Sequence, residues 1–161
     1  MGLVSAGLLV YRSGPDGLEV FLAHPGGPYF ARKDEGSWTI PKGAPFDGEE
    51  LKQTALREFE EEIGALPEGD LSLLAELGSV RQRSGKLVHA WCVEGTFPAD
   101  FVVKSNSFEL EWPPGSGKHK EYPEVDRAMF FPLAKAWLKI MPAQKPLLER
   151  LSALLAQARE R

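Results

Sequence analysis

Four glutamates lie within five residues of one segment, and their spacing favours chemistry that uses a metal ion. They are Glu58, Glu60, Glu61 and Glu62. On a helix that turns about 100° per residue, three of them fall on one arc, while Glu60 points away from it. Like charges spaced three and four residues apart on a helix repel one another, so an opposite charge should accompany them.

A divalent cation would neutralise this arc better than Arg57, which brings a single positive charge. Carboxylate oxygens suit Mg²⁺, which often keeps several waters and also binds substrate phosphates. A bound Mg²⁺ can orient a leaving group and lower the pKa of a water molecule. A solvated acidic face is the default interpretation of a bare acidic run, but this spacing favours a site for hydrolysis at phosphorus.

The helix that carries the cluster is predicted to start at Asp47 and to end near Ile63. Asp47 is a candidate N-cap, and Glu50 three residues later gives a capping-box-like start. Gly64 is a natural helix stop. The apolar positions share the neighbouring arc, which places Glu62 at the edge of the buried face. These positions are Leu51, Ala55, Leu56, Phe59 and Ile63.

The remaining pattern mixes strands and helices and predicts an α+β fold. Strands are predicted over residues 5–12, 18–24, 38–40, 73–81, 86–94 and 125–131, and helices over 132–140 and 142–159. Residues 101–122 are predicted to be long and irregular. Together these elements favour one domain over residues 1–161, an α/β/α sandwich with helices on both faces of a mixed sheet.

Composition limits the classes of function. The chain has 161 residues, of which 43% are hydrophobic and 26% charged, with a formal net charge of −4. The negative charge argues against a broad nucleic-acid-binding surface, and no apolar stretch approaches the roughly 20 residues of a membrane span. The single cysteine, Cys92, excludes an internal disulfide. We expect a cytoplasmic monomer or homodimer that binds a small molecule.

The segment 43–65 resembles the Nudix box, G-x5-E-x7-R-E-U-x-E-E-x-G-U, where U is a bulky aliphatic residue. All seven fixed positions are filled at the expected spacing, by Gly43, Glu49, Arg57, Glu58, Glu61, Glu62 and Gly64. The two U positions depart from the pattern, because they hold the aromatic Phe59 and the small Ala65. The resemblance implies a Nudix α/β/α sandwich over most of the chain.

The same resemblance implies roles for the box residues. Glu58 and Glu62 would be the principal ligands of Mg²⁺, or of Mn²⁺ in its place. Glu61 would be a further ligand, directly or through water, and the backbone carbonyl of Gly43 is another candidate. Arg57 would orient the carboxylates through charge-assisted hydrogen bonds.

The general base is not assigned by the box. It is either Glu61 or a carboxylate in the later part of the chain. Glu121 and Glu124 are the favoured later candidates because they precede the strand predicted over 125–131. Glu109 and Glu111 are weaker ones.

The candidate residues for substrate binding lie outside the box segment 43–65. Lys42, next to Gly43, and Lys118 are candidates for binding phosphate, and Tyr29 is a candidate for stacking on a nucleotide base. Phe30 and Trp112 are further aromatic candidates.

The resemblance implies Mg²⁺-dependent hydrolysis of a diphosphate linkage in a nucleotide substrate. The TIPKG segment at 39–43 is similar to that of dinucleoside polyphosphate hydrolases. A house-cleaning nucleoside triphosphate pyrophosphatase and a diphosphoinositol polyphosphate hydrolase are the alternatives within the same chemistry. A non-catalytic module that senses a nucleotide is expected to lose box carboxylates, and this chain keeps them all.

Overall fold

The computed structural model describes residues 3–159. The strands are β1 (Val4–Gly14), β2 (Gly17–Pro25), β3 (Lys42–Gly43), β4 (Ala75–Arg81), β5 (Leu87–Glu94), β6 (Ser107–Glu111), β7 (His119–Pro123) and β8 (Val125–Pro132). The α-helices are α1 (Leu51–Ile63), α2 (Leu133–Lys139) and α3 (Lys145–Arg159). No helix within the described range is both long and apolar enough to cross a membrane.

Six strands form one mixed sheet in the order β4-β5-β1-β2-β8, with β3 paired to β1. The β1–β5 pair is parallel, and the other neighbours are antiparallel. The predicted mixed sheet is therefore confirmed. Strands β6 and β7 form a separate two-stranded sheet.

The sheet is buried on both faces because alternate side chains of its central strand point in opposite directions. In β1, Leu9 belongs to the core that also contains Leu148 of α3. Its neighbours Leu8 and Val10 belong to the second core, together with Phe59 of α1. Helices thus cover both faces, which confirms the α+β sandwich.

The predicted start, at Asp47, of the helix that carries the glutamate cluster is wrong. Helix α1 begins at Leu51, and its N-cap residue Glu50 makes no side-chain cap hydrogen bond. Gly48 has a φ of +79°, a left-handed conformation that interrupts a helix. The predicted end is confirmed, because Gly64 has a φ of 103° and its N–H donates to Glu60 O at 2.8 Å.

Two further predictions of local structure are wrong. Residues 101–122 are not irregular throughout, since β6 pairs with β7 and Phe108 lies opposite Tyr122. In β6 the apolar residues Phe108 and Leu110 alternate with polar ones, but over only five residues, and β7 is polar except for Tyr122 and Pro123, so the alternation that identifies a strand is short. Residues 38–40 form no strand, because Thr39 makes only an isolated bridge to Ala23 and Ile40 N donates to the Gln144 side chain.

Candidate active site

A cavity of about 300 Å³ gathers four carboxylates from two distant parts of the chain. Helix α1 contributes three of them, β3 contributes backbone and a lysine, and the connections before β6 and β8 complete the wall. The lining residues are Lys42, Gly43, Glu58, Glu61, Glu62, Asn106 and Glu124. Glu60 is exposed on the same helix, as its helical position predicts. The sheet and α1 therefore bring together chemistry that is dispersed along the chain.

Arg57 is the cation that holds the α1 carboxylates in place. Its Nε and Nη2 atoms donate to the two carboxylate oxygens of Glu49, each at 2.9 Å. Its Nη1 atom donates to Glu58 Oε1 at 3.0 Å and to Glu61 Oε2 at 3.1 Å. One planar guanidinium thus fixes the directions of three carboxylates, which a lysine cannot do.

Glu49 lies beside this cavity and not among its lining residues. Besides Arg57, its carboxylate accepts from Thr54 Oγ1 at 2.8 Å and from Phe46 N at 3.1 Å. The Arg57 hydrogen bonds lower the pKa of Glu49 to about 2. This carboxylate therefore anchors Arg57 and the chain that leads into α1.

Glu62 is the carboxylate most affected by burial. Its Oε2 atom accepts from Lys42 N at 2.9 Å. Burial raises the pKa of Glu62 to about 8, and the nearby charges of Glu58 and Glu124 act in the same direction. Burial also raises the pKa of Glu58, although Arg57 opposes that shift. Ionising both carboxylates is costly unless another positive charge is present.

The donor set fits a hard divalent cation. Carboxylate and backbone carbonyl oxygens are its preferred ligands, and four glutamates and the backbone-bearing Gly43 are lining residues of the cavity. A methyl group at Gly43 would overlap the Glu58 carboxylate, so only glycine lets the backbone approach this side chain so closely. Within residues 3–159, Arg57 and Lys42 N bind the carboxylate oxygens, and no three ligand residues are already gathered as a metal-binding group.

The general-base candidates occupy different environments. Glu61 and Glu124 both line the cavity. Glu61 is bound to Arg57, whereas the Glu124 side chain has no hydrogen-bond partner in the described part of the chain. Glu121 is exposed on β7 opposite Glu109 and does not line the cavity.

Weaker and more distant candidates surround the hairpin formed by β6 and β7. Glu109 and Glu111 lie 3.3 and 3.9 Å from the His119 ring nitrogens. Lys118 is exposed before β7 and is not a lining residue of the cavity. Glu109 and Glu111 are likewise not lining residues of the cavity.

The aromatic candidates join the hairpin to the loop after β2. Tyr29 is 56% exposed, and its ring meets that of Trp112 edge-on with 4.8 Å between centroids. Phe30 lies under the Lys33 ammonium at 5.4 Å. Lys42, by contrast, lines the carboxylate cavity, and burial lowers the pKa of its ammonium.

Sequence reasoning missed Asn106. Its backbone N–H donates to Glu61 O at 3.1 Å, and its carbonyl accepts from Glu124 N at 2.8 Å. It therefore connects α1 to the start of β8 at the cavity wall. No residue-type signal predicts this role, because both of these contacts use its backbone.

A larger cavity, of about 500 Å³, lies around the last residues of β1 and β5. Tyr11, Glu68 and Thr96 are among its lining residues, and no glutamate of the box is. Cavity size therefore does not select the candidate site, and the convergence of carboxylates distinguishes the smaller cavity.

Comparison with known proteins connects this geometry to a family. The NUDIX domain family matches residues 3–151. No curated protein matches the chain.

Solved structures share the fold at low sequence identity. The C. elegans Ap4A hydrolase in a binary complex has a TM-score of 0.66 and 23% identity, over 95% of this chain and 98% of that one. The NUDIX domain of Shewanella oneidensis NrtR, complexed with ADP ribose, has a TM-score of 0.65 and 16% identity, over 96% of this chain and 89% of that one. The M. smegmatis Nudix hydrolase RenU has a TM-score of 0.57 and 22% identity, over 95% of this chain and 85% of that one.

Proposed function

The chain belongs to the Nudix family of pyrophosphohydrolases, and on this premise we propose that it hydrolyses a diphosphate linkage in a dinucleoside polyphosphate, with Mg²⁺ as cofactor. The observation that carries the proposal is the convergence of Glu58, Glu61, Glu62 and Glu124 on one cavity. The choice of substrate is supported by the likeness in fold, over nearly the whole of both chains, to an Ap4A hydrolase.

Glu58 and Glu62 would hold the cation, with Glu61 and the Gly43 carbonyl as further ligands. When bound, Mg²⁺ or Mn²⁺ supplies positive charge for the phosphate oxygens and lowers the pKa of a water molecule. Arg57 holds two of these carboxylates at the cavity wall before any ligand arrives. Such preorganisation reduces the cost of binding.

We assign the role of general base to Glu124. A base needs an oxygen lone pair that no other donor occupies, and Glu124 lines the cavity with a side chain that has no hydrogen-bond partner among residues 3–159. Glu61 is the second candidate, since one of its oxygens already accepts from Arg57. Glu121 is the weakest of the three because it is exposed on β7, away from the cavity.

Substrate contacts are proposed at three places. The Lys42 ammonium lies at the cavity wall and is suited to a phosphate oxygen. The exposed Tyr29 ring, supported by Trp112, is suited to stacking on a nucleotide base. Lys118, exposed before β7, is suited to a more distant phosphate.

A substrate screen with Mg²⁺ tests the proposal, with nucleotide products separated by chromatography. The panel contains dinucleoside polyphosphates, nucleoside triphosphates, ADP-ribose and diphosphoinositol polyphosphates, each repeated with Mn²⁺ and with chelator. We expect the highest kcat/KM for a dinucleoside polyphosphate. We expect no hydrolysis of any substrate when chelator removes the metal ion. Preference for triphosphates would support the house-cleaning alternative.

Binding without hydrolysis of any member of the panel would favour a nucleotide-sensing module. The retention of every box glutamate argues against that second candidate.

A further inference from the structure

Residues 104–106 tie the end of α1 to the start of β8. The last carbonyls of a helix have no partner within the helix. Here Lys104 N donates to Ile63 O at 2.9 Å, and Asn106 N donates to Glu61 O at 3.1 Å. The Asn106 carbonyl accepts from Glu124 N at 2.8 Å. A short segment thus joins the backbones that carry two cavity carboxylates.

Ser105 completes this connection with its side chain. Val125 N donates to Ser105 Oγ at 3.1 Å. The same oxygen lies 3.1 Å from Val125 O and 2.9 Å from Asn106 O, and its single hydrogen is donated to one of these carbonyls. Val125 is buried, so its backbone groups need protein partners.

Strand β8 lies at the edge of the sheet, and an edge strand has one row of backbone groups without a neighbouring strand. On its paired side, Val125 lies opposite Pro25 of β2, next to a register shift. The next residue, Gly26, donates its N–H to Glu124 O at 3.0 Å. A methyl group at Gly26 would overlap the Pro123 carbonyl. The Ser105 hydroxyl therefore supplies the acceptor for the Val125 N–H, immediately after Glu124.

We propose that Ser105 is a positioning residue, which sets the Glu124 carboxylate against the α1 carboxylates through its hydrogen bonds to Val125. The inference rests on the proposed function, in which Glu124 accepts the proton. Without the hydroxyl, the Val125 N–H loses its acceptor, and the Glu124–Val125 peptide must rotate to find another. That rotation displaces Glu124 but leaves the Arg57-held carboxylates of α1 in place.

A double-mutant cycle on the full chain tests the proposal. Ser105→Ala is expected to lower kcat about tenfold, because small displacements of a reacting group have large effects on rate. KM is expected to change by less than about twofold, since substrate contacts remain. In a Glu124→Gln background, the same substitution should change kcat by less than about twofold, because its target is already lost.

Two further variants separate positioning from loss of structure. Ser105→Thr keeps the hydroxyl and should retain most of the wild-type kcat. Ser107→Ala is the matched control, because Ser107 is exposed on β6 and makes no side-chain hydrogen bond within residues 3–159. If Ser105→Ala does not fold, Ser105→Cys replaces it, since a thiol of similar shape is a weak donor and a weak acceptor.

An unchanged kcat in Ser105→Ala overturns the proposal. An equal loss of kcat with and without the Glu124 carboxylate also overturns it, because Ser105 would then act on stability alone. If the wild-type chain hydrolyses no member of the substrate panel, the proposed function itself is overturned, and the positioning role is overturned with it.

Discussion

Arg57 is the residue that holds Glu49, Glu58 and Glu61 in place. It makes a two-point contact with Glu49 and single contacts with Glu58 and Glu61. Its guanidinium carbon also lies 3.8 Å from the centre of the Phe46 ring. The guanidinium group thus has hydrogen bonds in its plane and an aromatic ring against its face, and together these contacts fix its orientation.

Arg57→Lys is therefore expected to lower kcat about 100-fold, because an ammonium cannot make the same set of planar contacts. Steady-state kinetics with Mg²⁺ measures the change. Arg83→Lys, at an exposed position outside the cavity, is the control. Wild-type kcat in Arg57→Lys would show that charge alone suffices at this position.

The roles proposed for Glu61 and Glu62 make a second prediction at this scale. Glu61→Gln and Glu62→Gln are each expected to lower turnover at least about 100-fold while the fold stays intact. Glu60→Gln is the matched control, since Glu60 is exposed on the same helix. Mg²⁺ titration by calorimetry should show weaker binding for Glu62→Gln. Full activity of both variants would refute the assignment.

Glu49 gives a prediction about pH. Arg57 lowers its pKa from 4.5 to about 2, so the folded state favours the ionised carboxylate. The stability that this ion pair contributes is fully present above pH 4.5 and is lost as the pH falls through about 2.

The difference in denaturation midpoint between wild type and Glu49→Gln should accordingly be constant at neutral pH and shrink in acid. Chemical denaturation at a series of pH values measures this difference. A difference that is the same at pH 2 and pH 7 would contradict the ion-pair account.

At the scale of elements, the β6–β7 hairpin and the loop after β2 form one structural unit beside the cavity. Tyr29 meets Trp112 across it, and Phe108 packs against Gly27. The loop is also held by His24, whose Nδ1 atom lies 2.7 Å from Asp126 Oδ1 and whose Nε2 atom lies 2.7 Å from Lys33 O. A ring presented on this unit has a defined position relative to the carboxylates.

Tyr29→Ala is expected to raise KM for a dinucleoside polyphosphate about tenfold, since stacking on a base contributes about 1–3 kcal/mol. The value of kcat should stay near that of the wild type. Tyr29→Phe keeps the ring and serves as the control. An unchanged KM in Tyr29→Ala would place the base elsewhere.

On the scale of the whole molecule, the two faces of the sheet have separate tasks. The α1 face carries the cavity. On the other face, α2 and α3 cover the core that contains Leu9 and Leu148. The buried Gln144 before α3 accepts from Ile40 N at 2.9 Å and donates to Thr39 Oγ1 at 2.8 Å. The far side of the molecule thus braces the segment that leads into Lys42.

Gln144→Leu should therefore destabilise the fold by about 1–3 kcal/mol, because Ile40 N–H is left buried without an acceptor. Thermal or chemical unfolding measures the loss. Gln157→Leu makes the same chemical change at an exposed position of α3 and should have little effect. Equal stabilities of the two variants would contradict the bracing role.

Local spacing was sufficient for the part of the site that lies on one helix. Glu58, Glu61 and Glu62 share a face because positions three and four residues apart coincide on any α-helix. The end of α1 at Gly64 and the exposure of Glu60 follow from the same local geometry. The sequence by itself therefore determined the family, the fold class and the core of the acidic cluster.

Only the tertiary structure decided which residues complete the cavity. Glu124 and Asn106 reach α1 through backbone hydrogen bonds between distant segments, and such bonds leave no trace in residue type. The β6–β7 hairpin also has little periodicity to detect, because β6 alternates over only five residues and β7 is mostly polar and exposed. Periodicity records burial against a core, so it cannot report elements and contacts that depend on the backbone alone.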